Sequence, residues 1–586
     1  MTVDKLKMHS PDLTKRNIDA IAELFPTVVT ETLDGVGNPV RAIDFDALRQ
    51  ELADRVVVVE GAQERYQLDW PGKRAAAFAA NTPIAKTLRP VREDSVDFDT
   101  TKNLFIEGDN LDALKLLQES YLGKVKLIYI DPPYNTGSDF IYEDDFAETT
   151  SEYLQRSGQT GIDGSRFVSN SESNGRFHSD WLSMMYSRLK LARSLLSEDG
   201  AIFVNIDFNE AHNLKRLMDE VFGEKNFQRE IIWRIGWLSG YKTLANNFIR
   251  NHDTILFYSR NADSMEFRKK YIENANFKPL LKPDKNLTEK LDQLGLSGAA
   301  QADLLKFINH GNRPDRYPIE DTWNSNEYDD LNSIAIVSFS GEKVSKLIGV
   351  GEDFKGQKSI RMIQRILEAT TSDDDIVMDF FAGTASTAHA VMQLNANDGG
   401  RRRFVMVQLP EEVAQDSAAH QAGYRTIGDL ARARIRVVGE KIKSDLFGAQ
   451  LDTGFRSLVV DTTNMADVLR TPDGTDQQTL SLVEDSIKAD RTDEDLVFQV
   501  LLDWGLDLTE PIVVQKVAGR TVLAVADDAL IACFTGDVTE DVVKLIAERH
   551  PLRAVFKDSG FSGDAARINA AQVFREISPE TEVRAI

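Results

Sequence analysis

From Leu104 to about Arg260 the sequence alternates short apolar runs with stretches of helical spacing, and no other feature restricts the fold as strongly. Leu104-Phe105-Ile106 reads as a strand, Leu111 to Leu117 as a helix, and Val125 to Ile130 as a second strand. Trp181 to Leu196 has the spacing of a long helix, Asp199-Gly200 marks a turn, and Ala201 to Ile206 forms a further strand. Strands alternating with helices in this way predict a parallel sheet with helices on both faces. The rhythm lapses over residues 261–345, which are polar and irregular. It resumes with a helix at Ile360 to Ala369, a strand at Ile376 to Asp379, a helix at Ala388 to Leu394 and a strand at Phe404 to Leu409. Before this unit, Ile18, Ile21, Ala22 and Phe25 recur at helical spacing and Phe45 to Leu52 offers a second short helix, until Pro71-Gly72 and Pro90 break the chain. After it, residues 451–586 carry strands of their own, at Thr521 to Ala526 and Leu530 to Phe534.

A length of 586 residues exceeds one compact core and predicts three or four domains. One cysteine, Cys533, excludes a disulfide framework and most structural zinc sites, and fits a reducing compartment. No apolar run approaches the ~20 residues that span a bilayer, and Met1-Thr2-Val3-Asp4-Lys5 leads into no signal segment, so a cytoplasmic protein without a membrane partner is expected. The net charge of −24 weighs against a nucleic-acid partner. It weighs lightly, because net charge governs solubility and encounter more than what one cleft can hold.

Asp131-Pro132-Pro133-Tyr134 follows the strand that ends at Ile130, where open α/β sheets bind ligands. A carboxylate beside a carbonyl offers two acceptors, one for each N–H of an aromatic exocyclic amine. Holding both would localise the nitrogen lone pair, which is otherwise delocalised into the ring. Consecutive prolines fix φ and supply no competing N–H. Tyr134 offers a flat face for a base taken out of a duplex. The alternative is a loop in which prolines end a strand. Asp379-Phe380-Phe381-Ala382-Gly383-Thr384-Ala385-Ser386-Thr387 is a second strand, small-residue turn and helix, suited to close approach of a carboxylate or ribose; alone it reads as a tight turn. Asp109, in Glu107-Gly108-Asp109-Asn110, either accepts from an adenine amine or caps the helix at Leu111. Gly351 to Ser359 imitates a phosphate-binding loop but carries one residue too many before Lys358, so Lys358 and Ser359 read instead as a helix start. Arg425, Arg432, Arg436 and Lys443 lie along one helical line; with Asp429 and Glu440 close by, a salt-bridged face is expected rather than a phosphate track. His252-Asp253 reads as a structural pair.

The order of these motifs resembles the β-group amino-methyltransferases, in which aspartate at the first motif position goes with N6-adenine and serine with N4-cytosine. Phe105 to Leu111, Asp131 to Thr136, His178-Ser179-Asp180-Trp181-Leu182, Leu196 to Gly200, Thr387 to Val391, Gln408 to Glu411 and Leu501 to Leu506 are similar to the modification subunit of type III restriction–modification systems. The resemblance implies a Rossmann-like methyltransferase sheet with an inserted target-recognition domain and additional N- and C-terminal domains. The core would span 101–260 and 346–450, with recognition at 261–345, an N-terminal region at 1–100 and a C-terminal α/β domain at 451–586. It implies S-adenosylmethionine as methyl donor and no metal. Asp131, Pro132, Pro133 and Tyr134 would hold the target base. Asp109, Lys358, Asp379, Phe381, Gly383, Thr384 and Gln408 would bind the donor, Lys358 near its methionine carboxylate. An acidic residue often meets the ribose after the next strand; Gln408 occupies that register and Glu411 stands three residues on. Ala385 stands where the family has a second glycine, harmless at negative φ and damaging at positive φ. Expected partners are double-stranded DNA, a second copy of the chain and a restriction helicase–nuclease subunit. The alternatives are transfer to cytosine N4 or RNA, an orphan enzyme, and a catalytically silent recognition subunit.

Overall fold

The computed structural model describes residues 13–24, 29–33, 39–43, 68–136, 177–234, 251–274, 279–311, 314–324, 344–350, 358–445, 451–466, 487–561 and 564–586, together with residues 4–5 and a few single positions. The expected phosphate-loop imitation, Gly351 to Gln357, lies outside the described residues, as does most of the helix expected at Phe45 to Leu52.

In chain order, the larger unit begins with β1 (Lys86–Pro90), β2 (Leu104–Glu107), α1 (Asn110–Tyr121), β3 (Val125–Ile130), α2 (Phe177–Leu195), β4 (Leu196–Ile206) and α3 (Ala211–Phe222). β5 (Phe227–Arg234) and β6 (His252–Ser259) follow. Next come β7 (Tyr271–Glu273), α4 (Lys285–Gln293), α5 (Gly298–Lys306), β8 (Arg316–Pro318) and β9 (Thr322–Asn324). The chain then returns through α6 (Ile360–Thr370), β10 (Ile376–Asp379), α7 (Ser386–Asp398), β11 (Arg403–Gln408), α8 (Ile427–Asp445) and β12 (Arg456–Thr462).

These strands make one ten-stranded sheet in the order β9-β5-β6-β4-β3-β10-β11-β2-β12-β1. Its centre, from β4 to β12, is parallel. Both faces of that centre are covered, which explains the unbroken apolar runs of β3 and β11. From β3 the chain crosses to β4 on one side, and from β10 to β11 on the other, so the strand order reverses between β3 and β10. Such a reversal leaves a crevice at the carboxyl ends of the two strands.

Several expectations shift by a turn or less: the helix expected at Trp181 to Leu196 begins at Phe177, and that at Ala388 to Leu394 extends over Ser386–Asp398. Asp199-Gly200 is not a free turn. It lies inside β4 where the pairing with β3 slips, Val125 facing Leu196 and Leu127 facing Ala201, so the intervening residues bulge out of register. The regions expected to flank the core both contribute to it. β1 and β12 pair antiparallel at the sheet edge, and β12 lies parallel to β2.

The C-terminal unit holds α9 (Asp493–Asp503), β13 (Ile512–Val517), β14 (Arg520–Val525), β15 (Leu530–Cys533), α10 (Glu540–Ala547), β16 (Arg553–Phe556), α11 (Asp564–Ile577) and β17 (Glu582–Ala585). A capping box between Thr492 and Asp495 starts α9. Leu496, Val500 and Leu501 of this helix share a core with Leu114 and Leu117 of α1. The strand Asp4–Lys5 joins the same C-terminal sheet beside β17. Within the expected recognition segment, β7 and β8 form an antiparallel ribbon around α4 and α5, and β9 then pairs with β5. Among the described residues no helix is long and apolar enough to cross a membrane.

Candidate active site at the strand-order reversal

The backbone brings the two motifs together. Ile128 of β3 lies beside Met378 of β10 in parallel register. Asp131 stands three residues past the first and Phe381 three past the second, so both strand ends open into the same crevice.

At Asp131 three donors converge on one oxygen. Oδ1 accepts from the Tyr134 hydroxyl at 2.8 Å and from Asn205 Nδ2 at 3.0 Å, and it pairs with Lys358 Nζ at 3.2 Å. Lys358 Nζ also donates to the Tyr134 hydroxyl at 2.5 Å, and Asn205 donates to that hydroxyl as well. Burial, reinforced by the Asp131 charge, pushes the Tyr134 phenol well above its ordinary value, so it stays protonated and donates. Among the described residues none donates to Asp131 Oδ2 or to the Pro132 carbonyl. The Pro133 carbonyl, in contrast, accepts from Trp181 Nε1 at 2.8 Å. Just beyond, Asn135 adopts φ 58°, a conformation asparagine tolerates. Its side chain donates to the buried Glu210 at 2.6 Å and to the Phe177 carbonyl at 3.1 Å, fixing the loop's exit.

Lys358 and Tyr134 differ from what the resemblance implies. Lys358, at the start of α6, reaches the Asp131–Tyr134 motif: its ammonium pairs with Asp131, lies 4.8 Å from the Tyr134 ring centre and 5.6 Å from that of Trp233. Tyr134 meets Asp131 through its hydroxyl, which the Lys358 ammonium also reaches.

Across the crevice, Asp379 holds the second turn from beneath. Its Oδ1 accepts from the Phe381 N–H at 3.0 Å and its Oδ2 from the Thr387 hydroxyl at 2.6 Å. Burial pushes this carboxyl up to about 7, against those two hydrogen bonds and with a further push from Asp131. Gly383 has φ 52° and faces open space, a Cβ there meeting nothing nearer than the Phe381 carbonyl at 4.0 Å. Its N–H donates to Gln408 Oε1 at 2.6 Å, so Gln408 braces the turn. Ala385 does have positive φ, 59°, with ψ 43°. An L-residue held there costs about 1–2 kcal/mol relative to the right-handed region.

Asp109 caps α1: its Oδ1 accepts from Leu111 N at 2.8 Å and Asp112 N at 3.1 Å. Its other oxygen meets the buried Arg188 at 3.4 Å. Asn110 links the halves, donating to the Phe380 carbonyl at 3.0 Å while accepting from Arg188. Gly108 is required because a Cβ there would collide with Val460 of β12 at 2.5 Å.

Sequence reasoning missed Asn205, Trp181, Arg188 and Asn110. Asn205 carried a readable signal, a lone amide in the apolar run Phe203 to Ile206; Arg188 is the one cation on the buried face of α2. The basic line along α8 is salt-bridged, as expected, though its partners come mostly from elsewhere. Arg432 pairs with Glu107 at 2.7 Å and Asp429 at 2.6 Å, and Lys443 with Asp97 at 2.9 Å.

The central parallel sheet, its reversal crevice and the two facing turns define a Rossmann-like, S-adenosylmethionine-dependent methyltransferase fold. The residues fit that donor: an open glycine cradle at Gly383, an aromatic side chain at Phe381 and the partly exposed Asp109 carboxylate line the crevice edge. A family model described as DNA methylase matches residues 125–420. The Mod subunit of the type III restriction-modification enzyme StyLTI of Salmonella typhimurium is 30% identical over 466 residues, covering 70% of this chain and 69% of that protein. The EcoPI Mod subunit of Escherichia phage P1 is 31% identical over 460 residues, covering 66% and 70%. The Type II methyltransferase M.KpnI of Klebsiella pneumoniae is 25% identical, covering 58% of this chain and 89% of that protein. The chain belongs to the DNA methylases and, within them, to the Mod-type methyltransferases of type III restriction–modification systems.

Proposed function

We propose that this methyltransferase transfers a methyl group to the exocyclic N6 of adenine in double-stranded DNA. The observation that carries the reading is the pair of open acceptors, Asp131 Oδ2 and the Pro132 carbonyl, beside an Asp131 Oδ1 and a Pro133 carbonyl that are both occupied. An amine with two N–H groups satisfies both. Asp131 Oδ1 stays anchored by Asn205, Tyr134 and Lys358, so the carboxylate keeps its orientation while Oδ2 takes one N–H. Drawing both protons into acceptors returns lone-pair density to the nitrogen and turns it toward the donor turn. When bound, S-adenosylmethionine supplies an electrophilic methyl group on its sulfonium. Phe381, Gly383 and Thr384 would line its site and Asp109 would meet its adenine. Glu411 is the better candidate for the ribose, since Gln408 Oε1 is committed to the Gly383 N–H. The low barrier that direct displacement needs comes from positioning rather than from an enzyme-bound intermediate.

The inserted ribbon and helices between β6 and β9 would read the DNA, and the relatives named as Mod subunits of type III restriction-modification enzymes support association with a restriction subunit. Incubation of the purified chain with duplex DNA and methyl-labelled donor, followed by nucleoside analysis, tests the reading. N6-methyladenine is expected. N4-methylcytosine as the product, or label entering RNA alone, would refute it.

A further inference from the structure

Ala385 occupies a left-handed position, φ 59° and ψ 43°, that an L-residue rarely holds unless its surroundings enforce it. Something must therefore clamp the turn. One side chain grips it from both sides. Arg434, fully buried on α8, donates through Nη1 to the Thr384 carbonyl at 3.3 Å, to the Thr384 hydroxyl at 3.3 Å and to Ser386 Oγ at 2.9 Å. These are the residues immediately before and after Ala385. Its Nε donates to His389 Nδ1 at 3.4 Å, one turn further along α7. His389 can serve as that acceptor because burial, with the charges of Arg434 and Lys441 beside it, pushes it down to about 3, so the ring is neutral.

We propose that Arg434 is a positioning residue that holds the donor turn in the left-handed form which Ala385 does not favour by itself, and that donor affinity depends on it. A planar guanidinium suits this task because Nη1 meets the carbonyl and the two hydroxyls while Nε, fixed in the same plane, meets His389, a pairing that one ammonium nitrogen does not reproduce. The proposal rests on the reading of Phe381 to Thr384 as the S-adenosylmethionine site.

The test is a double-mutant cycle between Arg434→Met and Ala385→Gly, read by calorimetric titration of S-adenosylmethionine and by thermal unfolding of the ligand-free chain. Glycine reaches the left-handed region without strain, so it removes the need for the clamp. Arg434→Met is expected to weaken donor binding on the order of tenfold, and the same change in the Ala385→Gly background to weaken it by less than about threefold. Equal losses in both backgrounds, or no loss in either, would overturn the proposal, leaving Arg434 a general packing residue. Should Arg434→Met not fold, Arg434→Lys retains the charge and loses the bridge; its loss too must shrink in the glycine background. Failure of the site assignment itself looks different, because Phe381→Ala would then leave affinity unchanged as well.

Discussion

Asp379 should make this protein lose stability as pH rises through neutrality, the reverse of what an ordinary salt-bridged carboxylate does. Its carboxyl is buried under the donor turn, and that burial pushes it up to about 7. In the unfolded chain an aspartate titrates near ~3.9. The folded chain therefore holds an extra proton in the interval between those values. The stability this group confers is complete below about pH 4 and is lost progressively as pH climbs through about 7. The full interval is about 3 pH units, or about 4 kcal/mol as an upper bound at ~1.36 kcal/mol per unit. Between pH 6 and pH 8.5 the proton number integrates to about one unit, or about 1.4 kcal/mol. Asp379→Asn keeps an acceptor for the Phe381 N–H and cannot ionise, so it isolates this contribution from all other titrating groups. Urea unfolding of both proteins at the two pH values, at constant ionic strength, measures it. The native protein should lose about 1.4 kcal/mol relative to the variant over that range. Parallel stability profiles, or a native protein that gains on the variant, would show that Asp379 is ionised in the fold and that the argument from burial fails.

The remaining expectations follow from individual contacts. Asp131→Ala should lower methyl transfer by at least ~10³-fold while duplex binding stays within ~3-fold, because it removes an acceptor needed during the reaction and no phosphate contact; filter binding beside a transfer assay checks both. Lys358→Met should reduce transfer by roughly 10- to 100-fold with donor affinity almost unchanged, since the ammonium reaches Asp131 and Tyr134; a large loss of donor binding would return Lys358 to the methionine carboxylate. Trp181→Phe leaves the half-buried Pro133 carbonyl unpartnered and should destabilise the chain by about 1 kcal/mol, visible as a lowered melting temperature.

How much of this was legible in the chain depends on where the information resides. Strand ends could be read, because the apolar run ending at Ile130 meets Asp131-Pro132-Pro133 and the one ending at Met378 meets Asp379, with the small-residue turn Ala382-Gly383-Thr384-Ala385 just beyond. Their adjacency could not, since pairing of β3 with β10 is a long-range fact that no local pattern encodes; it followed from the family resemblance. The N-terminal region was drawn as separate because Pro71-Gly72 and Pro90 break the pattern and the segment from 451 because it has strands of its own, yet β1 and β12 add to the sheet edge through backbone bonds that composition does not reveal. Lys358 was placed by its position at a helix start. A lysine's long side chain can turn either way from there, and the paired Asp131 and Tyr134 drew it across the crevice. Asp109 was correctly seen to have a capping role open to it.

The inserted segment gains its meaning from how it is tethered. β6 runs antiparallel to both β4 and β5, so β5 points the same way as β4 and its carboxyl end lies on the rim that carries Asp131. β9 pairs parallel with β5, Trp323 beside Trp233 and Asn324 beside Arg234, so its carboxyl end reaches the same rim, whereas the chain leaves for the β7–β8 ribbon at the opposite end of the sheet, where Ser259 of β6 faces Ala201 of β4. Trp233 in turn lies beside Lys358, the cation paired with Asp131. The Asp131 rim is thus framed by the carboxyl ends of β5 and β9, and a duplex bound there meets those strand ends. That also reconciles a net charge of −24 with a polyanionic substrate: binding needs a local surface along one rim, and the acidic residues elsewhere, many of them paired to arginines as along α8, need not face it.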